Sequence, residues 1–199
     1  MEEVIFATGN AHKIEEVSKI LSNTKILSLK DIGFTKDIKE TGTTCMENAL
    51  IKAETVYKFA KEKGFVIPVI SEDSGLFVKA LKGAPGVYSA RYSGPGATDA
   101  KNRAKVLKLL ENKKNRSAYF SATVVKLFPN GKFISAEGKT YGKILTEELG
   151  DKSFGYDCIF YSLELKKCFG EATKEEKNSV SHRFRAFKAL KEEEEKLNN

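Results

Sequence analysis

The chain has 199 residues, 41% of them hydrophobic and 31% charged, which suits one sizeable folded domain or two closely joined lobes around a shared core and is too apolar for a disordered segment. Lysine and arginine total 34 against 27 aspartates and glutamates, and the net charge of +7 favours an anionic partner without choosing among nucleotides, RNA or a membrane face. No apolar run approaches the ~20 residues needed to span a bilayer, so no membrane association is expected.

Cys45, Cys158 and Cys168 are odd in number and have neither metal-ligand nor redox-motif spacing, which points to reduced interior thiols in a cytoplasmic protein. Met1-Glu2-Glu3-Val4 leads straight into a strand-like run, so no secretory leader is expected. That run, Val4-Ile5-Phe6-Ala7, predicts a short buried strand ending at the turn residues Thr8-Gly9-Asn10. A helix follows, with Ile14, Val17, Ile20 and Leu21 on one face, then a strand over Lys25 to Leu29. Thr44-Cys45-Met46-Glu47 is a capping box that opens a long helix, its apolar stripe being Met46, Ala49, Leu50, Ala53, Val56, Tyr57 and Ala60. Val66 to Ile70 predicts a third strand that stops at Ser71-Glu72-Asp73-Ser74-Gly75.

Residues 83 to 97, rich in glycine and proline, predict an ordered loop, and Thr98-Asp99 opens another helix. Tyr119 to Phe128 and Lys132 to Tyr141 predict a long antiparallel hairpin about Asn130-Gly131, forming part of a second lobe. Asp157 to Tyr161 predicts a short strand, and a closing helix starts near Ser181. The alternation of strands and helices in the first half argues for an α/β core with some parallel pairing. A cleft is expected between the lobes.

Four constellations could carry chemistry. Thr8-Gly9-Asn10-Ala11-His12-Lys13 sits at a strand-to-helix junction, where free backbone N–H groups and a lysine suit a phosphate, although a plain N-capped turn reads the same way. Glu72-Asp73 places two carboxylates after a buried strand, where a hard cation such as magnesium would relieve their charge, and Glu40 could add another; a turn is the simpler reading. Phe154-Gly155-Tyr156-Asp157 offers aromatic faces and an acceptor to a purine, or merely packs the core. In Glu175 to Arg183, Ser181 as N-cap puts the cations His182 and Arg183 in the first turn of a helix, against its dipole, a conflict that a bound anion would resolve; His182 could equally be an ordinary exposed residue.

Taken in order, these stretches, together with Glu40-Thr41-Gly42-Thr43, Glu47-Asn48-Ala49, Gly83 to Arg91 and Glu176-Lys177-Asn178, resemble the inosine triphosphate pyrophosphatase family, also called the Ham1 family, along nearly the whole chain. The resemblance implies an elongated two-lobed α/β protein, a mixed sheet with flanking helices and a central active-site cleft, with residues 1–199 forming a single pyrophosphatase domain. It implies a homodimer that cleaves XTP, ITP and dITP to the monophosphate and pyrophosphate. Carried over residue by residue, it implies Asp73 as general base, and Asp73 and Glu40 as ligands of a Mg2+ cofactor. Thr8, Gly9, Asn10, Ala11, His12, Lys13, Lys52 and Ser74 would hold the triphosphate. Phe154, Gly155, Tyr156, Asp157, Lys177, His182 and Arg183 would hold the base and sugar. Asp151-Lys152-Ser153 departs from the glycine-rich stretch common there, and Ala172-Thr173 stands for a common Met-Thr. A pyrophosphatase for pyrimidine nucleotides, like the similarly folded Maf family, is the nearer rival. A basic RNA-binding module is the remoter one, and no stable nucleic-acid partner is expected, because a basic stripe with interleaved aromatics is missing.

Overall fold

A computed structural model of the chain describes residues 2–151 and 154–197. Lys152 and Ser153, in the departing loop, lie outside the described residues. The elements in order are β1 (Glu2–Phe6), α1 (Ala11–Ile20), β2 (Thr24–Leu27), α2 (Cys45–Glu62), β3 (Val69–Val78), α3 (Asp99–Leu109), β4 (Ser117–Leu127), β5 (Phe133–Ile144), β6 (Phe160–Ser162), β7 (Lys167–Cys168), α4 (Lys174–Val180) and α5 (His182–Leu197). Short 3-10 turns occupy Lys79–Leu81, Gly86–Arg91 and Asp157–Ile159. The seven strands form one mixed sheet in the order β2-β1-β3-β4-β5-β6-β7. β1 runs parallel to both β2 and β3, whereas β6 is antiparallel to β5 and to β7. Among the described residues no helix is long and apolar enough to cross a membrane.

The chain divides into two compact units. The first comprises residues 1–73, 122–138 and 183–199. Its strands alternate with period two, as a strand covered on both faces must. Ile5, Ala7, Val69, Val125 and Leu127 join a core with Ala49, Ala53, Val56 and Ala60 of α2. Val4, Phe6, Ile70, Ala122 and Val124 turn the other way, toward Val17 of α1 and Ala186, Phe187 and Leu190 of α5. Phe6 and Phe187 meet edge to face, 6.0 Å apart. The second unit comprises residues 74–121 and 139–182. Its core gathers Leu76 and Val78 of β3, Val106 of α3, Phe120 of β4, Ile144 of β5, and Tyr156, Phe160 and Phe169.

The structure corrects several sequence expectations. β3 does not stop at Ser71 but continues to Val78, so Glu72 and Asp73 are strand residues and not a turn. The tract 157–161 is a 3-10 turn followed by a strand that starts only at Phe160. The hairpin is not confined to a second lobe: residues 122–138, including the Asn130-Gly131 turn, belong to the first unit. α4 and β7 lie in segments that carried no expectation, and the loop over 83–97 contains the 3-10 turn Gly86–Arg91.

Candidate active site

In the first unit the first turn of α1 is built by Asn10. As N-cap its Oδ1 accepts from the backbone N–H groups of His12 (3.0 Å) and Lys13 (3.3 Å), while its own N–H donates to Thr8 Oγ1 (3.2 Å). The plain N-cap reading of Thr8 to Lys13 is therefore present in full, and two of the amides expected to face a phosphate are already engaged. Gly9, Ala11 and His12 are exposed. Lys13 reaches inward, its Nζ 3.5 Å from Glu72 Oε1; burial lowers its pKa from the usual lysine value, and Glu72 opposes that shift.

α2 presents Cys45, Asn48 and Lys52 on one buried face, as their spacing in the helix requires. Lys52 Nζ donates to Glu40 Oε1 at 2.8 Å and to Asp73 Oδ1 at 2.9 Å. Desolvation pulls the Lys52 pKa down, but Asp73 and Glu40 outweigh it, and the ammonium is held above its ordinary value. Asn48, fully buried, donates from Nδ2 to Asp73 Oδ2 (3.4 Å) and accepts the Gly42 N–H at Oδ1 (2.8 Å). It thereby links the loop that carries Glu40 to the strand that carries Asp73. Burial, aided by the charge of Asp73, pushes the Cys45 thiol up to about 12, so it stays protonated and inert.

Glu72, next along β3, has other partners than Asp73. Arg183 grips it with both arms of the guanidinium, Nε to Oε2 at 2.6 Å and Nη2 to Oε1 at 2.9 Å, and also contacts Glu16 through Nη1. Burial works against the Arg183 charge, yet Glu72 and Glu16 raise its pKa. The conflict between Arg183 and the helix dipole is thus relieved by two carboxylates of the protein itself.

In the second unit Ser74 is half-buried in β3. His182 is buried and not the ordinary exposed residue that the sequence allowed, its ring stacked on Phe120 at 4.9 Å and 14°. Asp157 is buried and accepts from Lys177 Nζ at 2.7 Å, and the same ammonium stands 5.5 Å from the centroid of the Phe154 ring. Tyr156 is a core residue whose hydroxyl donates to the Ser89 carbonyl at 2.7 Å, and burial raises its pKa. The structure therefore gathers Phe154, Asp157 and Lys177 into one cluster and packs the Tyr156 ring in the core.

A magnesium ion needs only one or two carboxylates, filling its other positions with water and phosphate oxygens. Glu40 and Asp73 fit that demand, because both already converge on a single cation, Lys52 Nζ, with hard oxygen donors. Glu72 is engaged by Arg183 and Lys13. Among the described residues no group of three or more His, Cys, Asp and Glu side chains is set to hold a metal by itself.

The Ham1 family model matches residues 4–193. The chain belongs to the Ham1 family. Among relatives of this Ham1 chain, the dITP/XTP pyrophosphatase of Clostridium perfringens is 45% identical, over 96% of this chain and 97% of its own length. The dITP/XTP pyrophosphatase of Thermoanaerobacter pseudethanolicus is 47% identical, over 95% and 94% of the two lengths. The solved Staphylococcus aureus Ham1 protein superimposes with a TM-score of 0.86 at 34% identity, covering 98% of each chain. Sequence reasoning gave no site role to two residues that contact the expected ones: Asn48, on Asp73, and Glu16, on Arg183. Asn48 had a signal, a polar residue four positions before Lys52 beside an apolar helical stripe. Glu16 had none, since its partner lies 167 residues away.

Proposed function

We propose that this protein hydrolyses dITP, XTP and ITP to the monophosphate and pyrophosphate with Mg2+ as cofactor, clearing non-standard purines from the nucleotide pool. The names of its relatives supply the substrate class. The observation within this chain that carries the reading is the convergence of Glu40 and Asp73 on Lys52. In this reading the chain acts as a cytoplasmic homodimer, each copy a single domain with two lobes.

Asp73 accepts a proton from the attacking water, whose oxygen bonds to the α-phosphorus as the bond to the α,β-bridging oxygen breaks. The electron pair of that bond leaves on pyrophosphate. Lys52 and Lys13 turn from carboxylates to phosphate oxygens, and their charges offset the charge that builds on the transferred oxygens. Lys52, with its raised pKa, remains charged throughout the physiological range. Asn48 holds the Asp73 carboxylate from the side opposite Lys52, leaving it one fixed orientation. Thr8, Asn10 and Ser74 contribute further contacts to the triphosphate. Magnesium held by Glu40 and Asp73 would polarise the phosphoryl oxygens and stabilise the leaving pyrophosphate. Phe154 stacks on the base, Asp157 and Lys177 read its edge, and His182 and Arg183 complete the nucleoside end.

Inosine and xanthine carry a 6-oxo group where adenine carries an amino group. A site that donates hydrogen bonds there leaves them unpaired with ATP, and such mispairing gives discrimination of roughly 10⁴-fold or more. The test is product analysis with dITP, XTP, ITP, ATP and GTP, with and without magnesium. Pyrophosphate and monophosphate should form first from dITP, XTP and ITP, and only with the metal. Release of IDP and inorganic phosphate, or comparable kcat/KM for ITP and ATP, would sink the reading.

A further inference from the structure

A segment that distinguishes one purine from another must be held to within about 0.5 Å, and the residues that hold it need not touch the nucleotide. Phe154 to Asp157 has such a support, supplied by α3. Asp99 and Arg103 stand four residues apart on that helix and so share a face. Asp99 Oδ2 accepts the Gly155 N–H at 2.7 Å, and Arg103 Nη1 donates to the Gly155 carbonyl at 2.9 Å. Both main-chain groups of one residue are thus gripped by one helix. Arg103 is only 4% exposed and is itself aimed by Glu148, which accepts from its Nε at 2.8 Å. Gly155 has a φ of +57°, a backbone conformation that side-chain-bearing residues rarely adopt, so the chain pivots at this point.

We propose that Asp99 and Arg103 are positioning residues for purine selection. They clamp Gly155 and thereby fix Phe154 on one side of it and the Asp157–Lys177 pair on the other. The inference rests on the function proposed above, because it assumes that this segment receives the base. It also divides the labour within the segment. The N–H and C=O of Gly155 are committed to α3, so the edge of the base is read by Asp157 and Lys177 and its face by Phe154. Next along the chain, the Tyr156 hydroxyl is tied to Ser89, and the Asp157 carbonyl accepts the Gly170 N–H at 3.0 Å. The clamp secures the residue at which the backbone of the segment takes its left-handed turn.

The experiment measures kcat and KM for ITP and ATP in the wild-type protein and in Asp99→Ala, Asp99→Asn and Arg103→Lys, with melting temperature and circular dichroism for each. Asp99 is exposed, so its truncation removes an acceptor without opening a cavity. Asp99→Ala should lower the ITP-over-ATP ratio of kcat/KM about tenfold, the loss of one charge-assisted hydrogen bond. The change should come through KM for ITP, with kcat altered less than about threefold. Asp99→Asn keeps an acceptor oxygen and should recover most of the ratio. Arg103→Lys cannot span Glu148 and the Gly155 carbonyl together and should shift the ratio in the same direction as Asp99→Ala. A purely structural role would depress ITP and ATP in parallel, and that result, or an unchanged ratio in folded variants, overturns the clamp. A wild-type protein without preference for ITP overturns the proposed function, and the clamp with it; that failure is visible before any variant is made.

Discussion

Asp73 is the residue on which most of the proposed chemistry turns, and its surroundings allow its loss to be forecast. Asp73→Asn retains an oxygen that can accept from Lys52, and Lys52 keeps Glu40, so neither is stranded in the interior. Turnover should nevertheless fall by roughly 10²–10⁴-fold, as expected when a general base is removed. Near-wild-type kcat for ITP in this variant would show that another group takes the proton. Gly42 allows an equally sharp statement. A Cβ placed there would stand 2.6 Å from Glu47 Cβ and 2.7 Å from Asn48 Oδ1, closer than atoms tolerate. Gly42→Ala must therefore displace the loop that carries Glu40, and ITP turnover should fall while the melting temperature changes by only a few degrees. Retained activity would mean that this loop does not need its present pose. The residues proposed for phosphate and base could be named from sequence because they cluster in short stretches, such as Thr8 to Lys13 and Phe154 to Asp157. Their partners could not, because Arg183 finds Glu72 across 111 residues and Lys126 finds Glu2 across 124. Local pattern carries no trace of such pairings.

At the scale of elements, α2 shows how far local chemistry reaches. Thr44 Oγ1 accepts the Glu47 N–H at 3.1 Å and Glu47 returns the contact to the Thr44 N–H at 3.1 Å, the reciprocal capping box that the sequence announced. Thr44→Ala should cost about 1 kcal/mol of stability, read by denaturant unfolding. Glu47 also accepts from the Thr43 N–H and hydroxyl, and these hydrogen bonds lower its pKa below the ordinary glutamate value. A carboxyl depressed in the folded state stabilises the fold above its unfolded pKa and loses that contribution as pH falls through its folded value. The melting-temperature gap between wild type and Glu47→Gln should therefore be constant near neutrality and close below about pH 4.3. A gap that widened in acid would contradict the linkage. β3 shows the opposite limit of legibility. Ser71-Glu72-Asp73-Ser74-Gly75 has the composition of a turn, yet it continues a strand. What overrides local preference is cations and a hydrogen-bond donor brought from outside: Lys52 and Asn48 from α2, Lys13 from α1 and Arg183 from α5 satisfy the two carboxylates in place. The presence of β1, β2 and β3 followed from their apolar runs, whereas their order in the sheet and the extension of β3 required tertiary partners that no window of sequence contains.

For the whole molecule, the surplus of +7 invites the idea of a cationic trough for triphosphate, but the paired charges around Asp73 say otherwise. Three cations, Lys13, Lys52 and Arg183, face four carboxylates, Glu16, Glu40, Glu72 and Asp73. That leaves this set of paired side chains one negative charge in excess. A bare triphosphate brought to such a place meets net repulsion, whereas a divalent cation reverses the balance before the phosphates arrive. Metal and nucleotide should therefore bind cooperatively, each alone weakly. Thermal unfolding gives the test, using an ITP analogue with a non-hydrolysable α,β-bridge. Ligand at about a hundred times its Kd adds roughly 2.7 kcal/mol to stability. For a chain of this size that corresponds to a rise in Tm of roughly 5–11 °C. Magnesium alone, and the analogue alone with chelator, should each give a small part of this rise, and the two together more than the sum. Asp73→Asn brings the count to three against three, so the analogue without metal should then raise Tm more than it does in the wild type. A full shift by the analogue in the presence of chelator would mean that the carboxylates do not oppose the triphosphate, and the electrostatic case for the metal would fall with it.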